Sequence, residues 1–446
     1  LVQKLCNFDK PLHVVSYSSG SQTVNACDCN VENIPPWGIP SVIIDCKDKN
    51  YANSDFKAEL LPQGTINLDL SWNQFAELPK FVSNTLKHIY LSHNLITKLE
   101  ANAFSKTPFL LSIDLSDNHI ESISPEAFNE IHSLHSLDLS GNRIKTLQNN
   151  VFSNIATLEH LMLSENPLNY TFKDDTVDLF LHLGVTPKLQ ILEMNNCSLN
   201  AVNIKNGMGL EEVMLSNNKF TKVPSLPRSI KFLDISANPI RIFRGSFYNL
   251  YSLETLFMED MPLLHRIDEY SFFGLPRLKH LNLQGSKNLS YVDANLFGRN
   301  VILNEIDTEL EILNLRGTNI KTLNESLRNA FDKIHTLNLD GCPLVCDCNI
   351  VWLRGLHIET NAECVQPPYL RGQLLSNVAE YDLTCNGLTS WVYKLLNALL
   401  IVVLLALLVG AVYLVYLGLR PARNKYFRTV GATSPYAPVN IDYQHD

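Results

Sequence analysis

The chain has 446 residues, of which 46% are hydrophobic and 18% charged, and its formal net charge at neutral pH is −9. This composition is that of a folded protein and excludes a low-complexity, disordered chain. An acidic chain also argues against nucleic acid as a partner, because phosphate contacts require a basic surface.

Eight of the ten cysteines fall in two clusters near the ends of the chain. Such clusters at both ends of a repeat array are typical of disulfide-stapled caps in an oxidising compartment. Zinc binding by these clusters is the alternative interpretation, but neither a C-x-x-C pair nor a histidine at zinc-finger spacing accompanies them. The chain begins at Leu1 rather than at methionine, which fits a mature secreted product whose signal peptide has been removed. The clusters are Cys6, Cys27, Cys29 and Cys46, and Cys346, Cys348, Cys364 and Cys385.

A repeating apolar pattern follows the first cluster. The chain reads LLSIDLSDNHIESI from Leu110 and LHSLDLSGNRIKTL from Leu134. The spacing L-x-x-L-x-L-x-x-N-x-L is that of a leucine-rich repeat. One repeat is too small to bury its own leucines, so stacked repeats share a single core. We therefore predict an α/β solenoid, a horseshoe with a parallel β-sheet on its concave side.

Twelve repeats are predicted, each with one anchoring residue in the turn after its strand, here called the ladder position. Seven ladder residues are Asn, whose amide can bond the stacked turn backbones. Met261 cannot, and we expect a distorted turn there. Cys197 and Cys342 are too far apart to bridge each other, and we expect two buried free thiols. The ladder positions are Asn73, Asn94, Asn118, Asn142, Asn166, Cys197, Asn218, Asn238, Met261, Ser286, Thr318 and Cys342.

Two further features belong to the segments between strands. Five phenylalanines recur at similar distances beyond the ladder positions, and we interpret them as a packed spine on the convex side rather than as a ligand-binding row. Residues 167–187 lengthen one repeat, and residues 178–183 are expected to form a short helix. Both a contact loop and a tolerated insertion remain open for this segment. The phenylalanines are Phe104, Phe128, Phe152, Phe247 and Phe297.

The two ends of the array resemble a known group of proteins. The N-terminal cluster has the form Cys6, Cys27-x-Cys29, Cys46, and the chain reads CPLVCDCNIVWL from Cys342. With the repeats and the apolar run described next, residues 6–419 resemble single-pass leucine-rich-repeat membrane glycoproteins, most of which bind protein on the concave face. The resemblance implies that Trp352 seals the last core layer. It also implies the disulfides Cys6–Cys29, Cys27–Cys46, Cys346–Cys364 and Cys348–Cys385.

Residues 395–419 form an apolar run without a charged residue. As a helix the run is about 37 Å long, against roughly 30 Å for the hydrocarbon core of a bilayer. Four basic residues follow directly, at positions 420, 423, 425 and 428, whereas only Lys394 flanks the other end. The positive-inside rule then predicts a single-pass type I plasma-membrane protein with an extracellular N-terminus and a cytoplasmic tail.

Short motifs agree with this topology. Four N-glycosylation sequons precede the apolar run, at Asn169, Asn196, Asn288 and Asn324. In the tail, the segment from Tyr436 to Val439 reads YAPV and resembles a tyrosine-based sorting signal, a site for a cytoplasmic adaptor. The predicted domains are an N-terminal cap (1–64), the repeats (65–341), a C-terminal cap (342–386), a linker (387–394), the transmembrane helix (395–419) and the tail (420–446).

No catalytic, nucleotide-binding or metal-binding motif occurs, and we predict neither enzyme activity nor a cofactor. A row of aspartates recurs within the repeated phrase D-L-S. A solvated sheet face is favoured for them over acid–base chemistry or calcium binding. They are Asp69, Asp114, Asp138 and Asp234.

Large apolar residues occupy outward strand positions in repeats five to nine. A contiguous exposed apolar patch marks an interaction site, and Met and Phe are enriched in interface cores. The alternative is that glycans or the 167–187 insertion cover the patch. This predicted ligand-binding patch, called the apolar patch below, consists of Met162, Ile191, Met214, Phe232 and Phe257.

The sequence thus predicts a cell-surface receptor or adhesion protein that binds an extracellular protein through the concave face. The alternative is an accessory subunit of a channel or receptor in the same membrane, with its binding energy in residues 391–428. The lipid bilayer and a cytoplasmic adaptor are the further expected partners, nucleic acid is not expected, and homo-oligomer formation is left open.

Overall fold

The computed structural model describes residues 27–32, 41–58, 61–298, 308–331, 333–356, 358–383, 385 and 390–419. The chain divides into two compact units, Leu1–Cys385 and Asn386–Asp446.

A 15-stranded sheet runs through the first unit. Strand β1 (Asp28–Glu32) pairs antiparallel with β2 (Ser41–Asp45), and the later strands follow in parallel. Each of the twelve predicted repeats contributes one strand, which confirms the parallel solenoid. These strands are β3 (Thr65–Asp69), β4 (His88–Tyr90), β6 (Ser112–Asp114), β8 (Ser136–Asp138), β9 (His160–Met162), β10 (Ile191–Glu193), β11 (Glu212–Met214), β12 (Phe232–Asp234), β13 (Thr255–Phe257), β15 (His280–Asn282), β17 (Ile312–Asn314) and β18 (Thr336–Asn338), and β20 (Glu359–Thr360) ends the sheet.

Shorter elements lie in the segments that return from one strand to the next. Helix α1 (Leu179–Leu183) confirms the helix predicted in the insertion. It begins where the Asp178 side chain accepts the Leu181 N–H, and it ends at Gly184, whose φ is +70°. Three two-stranded sheets pair β5 (Lys98–Leu99) with β7 (Ser122–Ile123), β14 (Arg266–Ile267) with β16 (Tyr291–Val292), and β19 (Leu344–Val345) with β21 (Cys364–Gln366). The 3-10 helices within the described residues include Leu168–Tyr170, Glu325–Phe331, Val351–Gly355, Pro368–Leu370, Leu375–Asn377 and Glu380–Asp382.

The core is one continuous stack. In β9–β13 the central residue of each strand is buried and its two neighbours are half-buried. All five spine phenylalanines are buried, which confirms their structural role. The rings of Phe104 and Phe128 stack with 6.1 Å between centroids. Phe272, which the sequence pattern did not include, continues the spine 5.4 Å from Phe247.

The asparagine ladder bonds each turn to its neighbours. At Asn142, Nδ2 donates to the carbonyls of Leu115 and Leu139, each at 2.9 Å. Its Oδ1 accepts the N–H of Ile120 from the preceding repeat at 2.9 Å. One side chain thereby satisfies backbone groups of two successive turns, which are too deeply buried to be solvated.

The turn at Met261 is not distorted, so that prediction was wrong. The residue before it, Asp260, has a φ of +50°, as left-handed as the residues before the other ladder positions. Ser286 Oγ accepts the Met261 N–H at 3.1 Å and donates to the Met258 carbonyl at 3.3 Å. Ser286 of the next repeat therefore bonds the backbone of this turn at the Met258 carbonyl and the Met261 N–H, without the methionine side chain.

Cys197 and Cys342 are buried and free, as predicted. The Cys197 thiol donates to the Leu163 carbonyl, with 3.3 Å between sulfur and oxygen. Burial raises the pKa of Cys197 to about 12, so the thiol stays protonated and unreactive at neutral pH.

Disulfides stand near both ends of the solenoid. They join Cys27 to Cys46, Cys346 to Cys364, and Cys348 to Cys385, which are the expected pairings among these residues. Cys29 is disulfide-bonded as well. Its expected partner, Cys6, lies outside the described residues.

Trp352 closes the C-terminal end of the core, as the resemblance implied. The ring is buried, and its Nε1 donates to the Leu323 carbonyl at 2.9 Å. Its centroid lies 5.8 Å from that of Phe331.

The described part of the second unit is helix α2 (Ser390–Leu419). Within it, Lys394–Leu419 has a mean hydropathy of 3.1 and is long and apolar enough to cross a membrane. This helix is compatible with the span predicted at residues 395–419, and its orientation stays a prediction. The tail signal at Tyr436 and Val439 lies outside the described residues.

Candidate functional site

The main sheet has an open face, defined here as the side that carries the half-buried residues on either side of each buried strand centre. Parallel neighbours are in register, so these residues form rows across the strands. From β9 to β13, the first row is His160, Ile191, Glu212, Phe232 and Thr255, and the second is Met162, Glu193, Met214, Asp234 and Phe257. All five residues of the apolar patch stand in these two rows.

The apolar patch follows a zigzag across the five strands. Its members alternate between the second row and the first, one on each successive strand. The rings of Phe232 and Phe257 meet edge to face, with 5.2 Å between their centroids. Because neighbouring strands lie about 4.8 Å apart, the zigzag is roughly 19 Å long. The five residues form a continuous strip rather than scattered apolar side chains.

Carboxylates occupy the positions that the zigzag leaves between its apolar members. Glu193 stands between Met162 and Met214 in the second row. Glu212 stands between Ile191 and Phe232 in the first row. Asp234 continues the pattern beside Phe257 in the second row. These ten positions hold three carboxylates and no lysine or arginine, so the strip is both apolar and acidic.

The environment of Glu193 disfavours its charged form. Burial raises its pKa above the usual range, and the charges of Asp138 and Glu212 raise it further, while His160 opposes the shift. The cause is a half-buried charge among like charges. A cation placed against this strip would relieve that repulsion.

The aspartates of the D-L-S phrase have a structural role, because their side chains bond the backbone of the following turn. The Oδ1 atoms of Asp69, Asp114, Asp138 and Asp234 accept the backbone N–H two residues further on, at 2.8 to 2.9 Å. These bonds tie down the turn after each strand, where the backbone leaves the sheet. They support the interpretation of this row as part of the scaffold.

In three repeats of the apolar patch, the equivalent turn N–H is bonded by a side chain from the turn of the preceding repeat. Asn195 Oδ1 accepts the N–H and the hydroxyl of Ser216, at 2.8 and 2.9 Å. Ser164 Oγ accepts the Asn195 N–H at 3.1 Å, and Ser236 Oγ accepts the Glu259 N–H at 2.9 Å. The side chains of the second-row residues Glu193, Met214 and Phe257 therefore do not need to bond the turn backbone. Sequence reasoning missed this exchange, although the loss of the D-L-S phrase in these repeats signals it.

The 167–187 insertion packs against return segments. His182 Nε2 lies 2.9 Å from the Leu147 carbonyl, and the Phe152 N–H donates to the Leu183 carbonyl at 3.0 Å. Asp175 forms an ion pair with Lys222 at 2.6 Å. These partners lie beyond the ladder positions of their repeats, away from the rows of the open face. The contacts therefore argue against this segment as a cover for the apolar patch.

A second exposed cluster, which sequence reasoning missed, lies on the return segments of repeats eight to ten. The rings of Tyr248 and Phe273 stack with 6.4 Å between centroids, and the Arg244 guanidinium lies 4.1 Å from the centroid of Tyr270. Tyr248 and Phe273 each follow a buried spine phenylalanine directly, which was the available signal. Ring contacts join Tyr248, Tyr251, Tyr270 and Phe273. With the exposed Phe243 and Tyr291 on the same and the next return segment, these residues are called the aromatic ridge.

The four sequons have side chains at least partly exposed. Asn196 lies in the turn after β10 with a φ of +53°. Asn288 Nδ2 donates to the Pro262 carbonyl at 2.8 Å, and Asn324 Oδ1 accepts the Ser326 N–H at 2.9 Å. Glycosylation at these positions, including Asn169, stays a prediction.

Metal-binding and catalytic groupings are not evident in the described part of the chain. Across those residues, no three His, Cys, Asp or Glu side chains come together in a way that could hold a metal ion. His88, His160 and His280 occupy the first row on separate strands. Burial and the charge of Lys87 lower the pKa of His88, which keeps it neutral. Nothing in this arrangement points to catalysis.

Two family models match the repeats. The leucine rich repeat model matches residues 67–120 and 108–168. The BspA type leucine rich repeat region model matches residues 193–321. Together they cover just over half of the chain.

Known proteins also resemble the chain. Tsukushi from Gallus gallus is 27% identical over 350 residues, which are 76% of this chain and 84% of that protein. CD180 antigen from Mus musculus is 25% identical over 247 residues, 44% of this chain and 36% of that protein. The crystal structure of the TLR13-ssRNA13 complex matches with a TM-score of 0.58 and 22% identity, over 73% of this chain and 51% of that chain. The structural likeness establishes the fold.

Proposed function

We propose, from the premise that the chain belongs to the leucine-rich-repeat family, that it is a cell-surface receptor or adhesion protein whose open face binds an extracellular protein. The apolar zigzag from Met162 to Phe257 is the observation that carries the proposal. Large apolar side chains on the solvent side of a sheet are costly unless a partner covers them. Methionine and aromatic residues are also the ones enriched in interface cores.

The cross-strand hydrogen bonds support the same proposal. In most other repeats the second-row residue is an aspartate or asparagine whose Oδ1 accepts the N–H two residues further on, as Asp114 and Asn314 do. Asn195, Ser164 and Ser236 take over that task beside the patch. The sheet thus keeps its turns while presenting Met214 and Phe257 to a ligand.

Protein fits this face better than nucleic acid does. The three carboxylates among the ten strip positions would repel phosphate groups, and no lysine or arginine there would attract them. The RNA named for the TLR13 complex is therefore not carried over to this chain. Helix α2 supports a membrane anchor, and we propose the type I orientation from the basic residues that follow it.

The test is an unbiased screen of extracellular proteins against cells that display the full chain. A binding protein found in this way should lose about thirtyfold in affinity on Phe257→Ala, because interface hot spots cost 2 kcal/mol or more. Phe232→Ala and Met214→Ala should act in the same direction. Ser112→Ala is the matched control, since Ser112 stands in the first row of β6 outside the patch.

Two results would contradict the proposal. The first is a ligand whose affinity is unchanged by all three patch substitutions. The second is a partner whose association is lost when residues 391–428 are exchanged for an unrelated span but survives loss of the patch. That second result would favour the accessory-subunit alternative.

A further inference from the structure

Strands β10, β11 and β12 each present one apolar and one acidic side chain on the open face. The order reverses from strand to strand: Ile191 precedes Glu193, Glu212 precedes Met214, and Phe232 precedes Asp234. Because the strands are in register, an acidic zigzag interlocks with the apolar one. A partner that covers the apolar strip must therefore also cover the carboxylates.

The acidic zigzag is not neutralised from within the described chain. The nearby lysines Lys231 and Lys279 directly precede β12 and β15. They form salt bridges with Glu211 at 2.9 Å and with Glu254 at 3.2 Å. Across the residues that the structure describes, neither Glu193 nor Glu212 has an ion-pair partner. Burying unpaired carboxylates under an apolar or acidic partner would be strongly unfavourable.

We propose that the ligand contacts this strip with a basic polypeptide segment in which lysine or arginine side chains alternate with apolar ones. The inference rests on the proposed function and names the chemistry of its partner. The cationic groups pair with Glu193, Glu212 and Asp234, and the apolar groups cover the zigzag.

Lysine and arginine suit both components of the strip. Their methylene stems pack on apolar surface while the charged heads reach a carboxylate. A cationic head near Glu193 also offsets the repulsion from Asp138 and Glu212 that the free protein carries. Complementary charge of this kind selects against acidic competitors, since like charges brought together are penalised.

The experiment uses the full chain in nanodiscs of neutral phosphatidylcholine, so that the lipid does not attract cations. Three synthetic peptides serve as probes, with alternating lysine and leucine, glutamate and leucine, or lysine and serine. The lysine–leucine peptide should bind at least about tenfold more tightly than either control peptide, equivalent to about 1.4 kcal/mol. Its affinity should also fall as salt is added.

Charge-removing variants then locate the site. Glu193→Gln with Glu212→Gln should weaken the lysine–leucine peptide by about tenfold. The matched control is Glu121→Gln with Glu269→Gln, which removes the same charge from exposed positions outside the strip and should change little. Phe232→Ala should also weaken the peptide, because the apolar component is lost.

Several outcomes would overturn the inference: no binding of the lysine–leucine peptide, tighter binding of the glutamate–leucine peptide, or equal losses in the two glutamine pairs. Failure of the proposed function has a different signature. An extracellular protein that depends on Phe257 but not on Glu193 and Glu212 would leave the proposed function intact and refute the basic chemistry. A ligand insensitive to Phe257→Ala, Phe232→Ala and Met214→Ala alike would refute the proposed function itself.

Discussion

The rings of Phe232 and Phe257 meet edge to face, 5.2 Å apart, on the open face of the sheet rather than in its core. Phe232 belongs to the first row of β12 and Phe257 to the second row of β13, so the contact is diagonal across two repeats. Both side chains are half-buried. The contact joins the two rows at one end of the apolar patch.

Stability should distinguish this pair from the buried spine. Phe128→Ala removes a fully buried ring and should cost about 3–5 kcal/mol. Phe257→Ala removes a half-buried ring, and the edge-to-face contact is worth about 0.5–1.5 kcal/mol. Urea unfolding followed by circular dichroism should show a several-fold larger midpoint shift for Phe128→Ala. Equal shifts would mean that Phe257 is a core residue.

The effect of the Glu193 charge on folding stability should depend on pH. Burial, then Asp138 and Glu212, raise its folded pKa. An acid whose pKa is higher in the folded than in the unfolded chain lowers stability as the pH rises from the unfolded pKa to the folded pKa, and the penalty is complete above the folded pKa. Glu193→Gln should therefore raise the thermal midpoint at pH 7. The gain should vanish below about pH 4.3, the unfolded value, and a gain that persists there would contradict this cause.

The ladder positions should differ in sensitivity. Asn142→Ala leaves the buried Ile120 N–H without its acceptor, which typically costs about 1–3 kcal/mol. Cys197→Ala should be tolerated better, because the corresponding Leu168 N–H already donates to the Asn166 carbonyl at 2.8 Å. Limited proteolysis should show faster cleavage for Asn142→Ala than for Cys197→Ala. The reverse order would contradict this account of the ladder.

Membrane topology can be tested on cells. An epitope added after Asp446 should be detected only once the cells are permeabilised, because the basic residues after α2 favour the cytoplasmic side. Removal of N-linked glycans should reduce the mass of the part that precedes Lys394. An epitope stained on intact cells would show that the predicted orientation is reversed.

The repeats were predictable because their leucines determine the core without reference to distant residues. The pattern L-x-x-L-x-L places each strand and its buried side chains, and the spine and the free cysteines follow from the same period. The turn at Met261 was mispredicted because its hydrogen bonds come from Ser286, one repeat away. Asn195 and the aromatic ridge were missed because their contacts join successive repeats, although the loss of the D-L-S phrase and the aromatic residues after the spine phenylalanines signal them.

Photo-crosslinking tests the central claim most directly. A photoreactive benzoylphenylalanine would replace Thr255, which lies in the first row on the same strand as Phe257. A second variant would carry it at Tyr248, in the aromatic ridge. On irradiated cells that display the full chain, the extracellular ligand should become attached at position 255 and not at position 248. Attachment at position 248 alone would show that the ligand binds the aromatic ridge and that the open face is not the site.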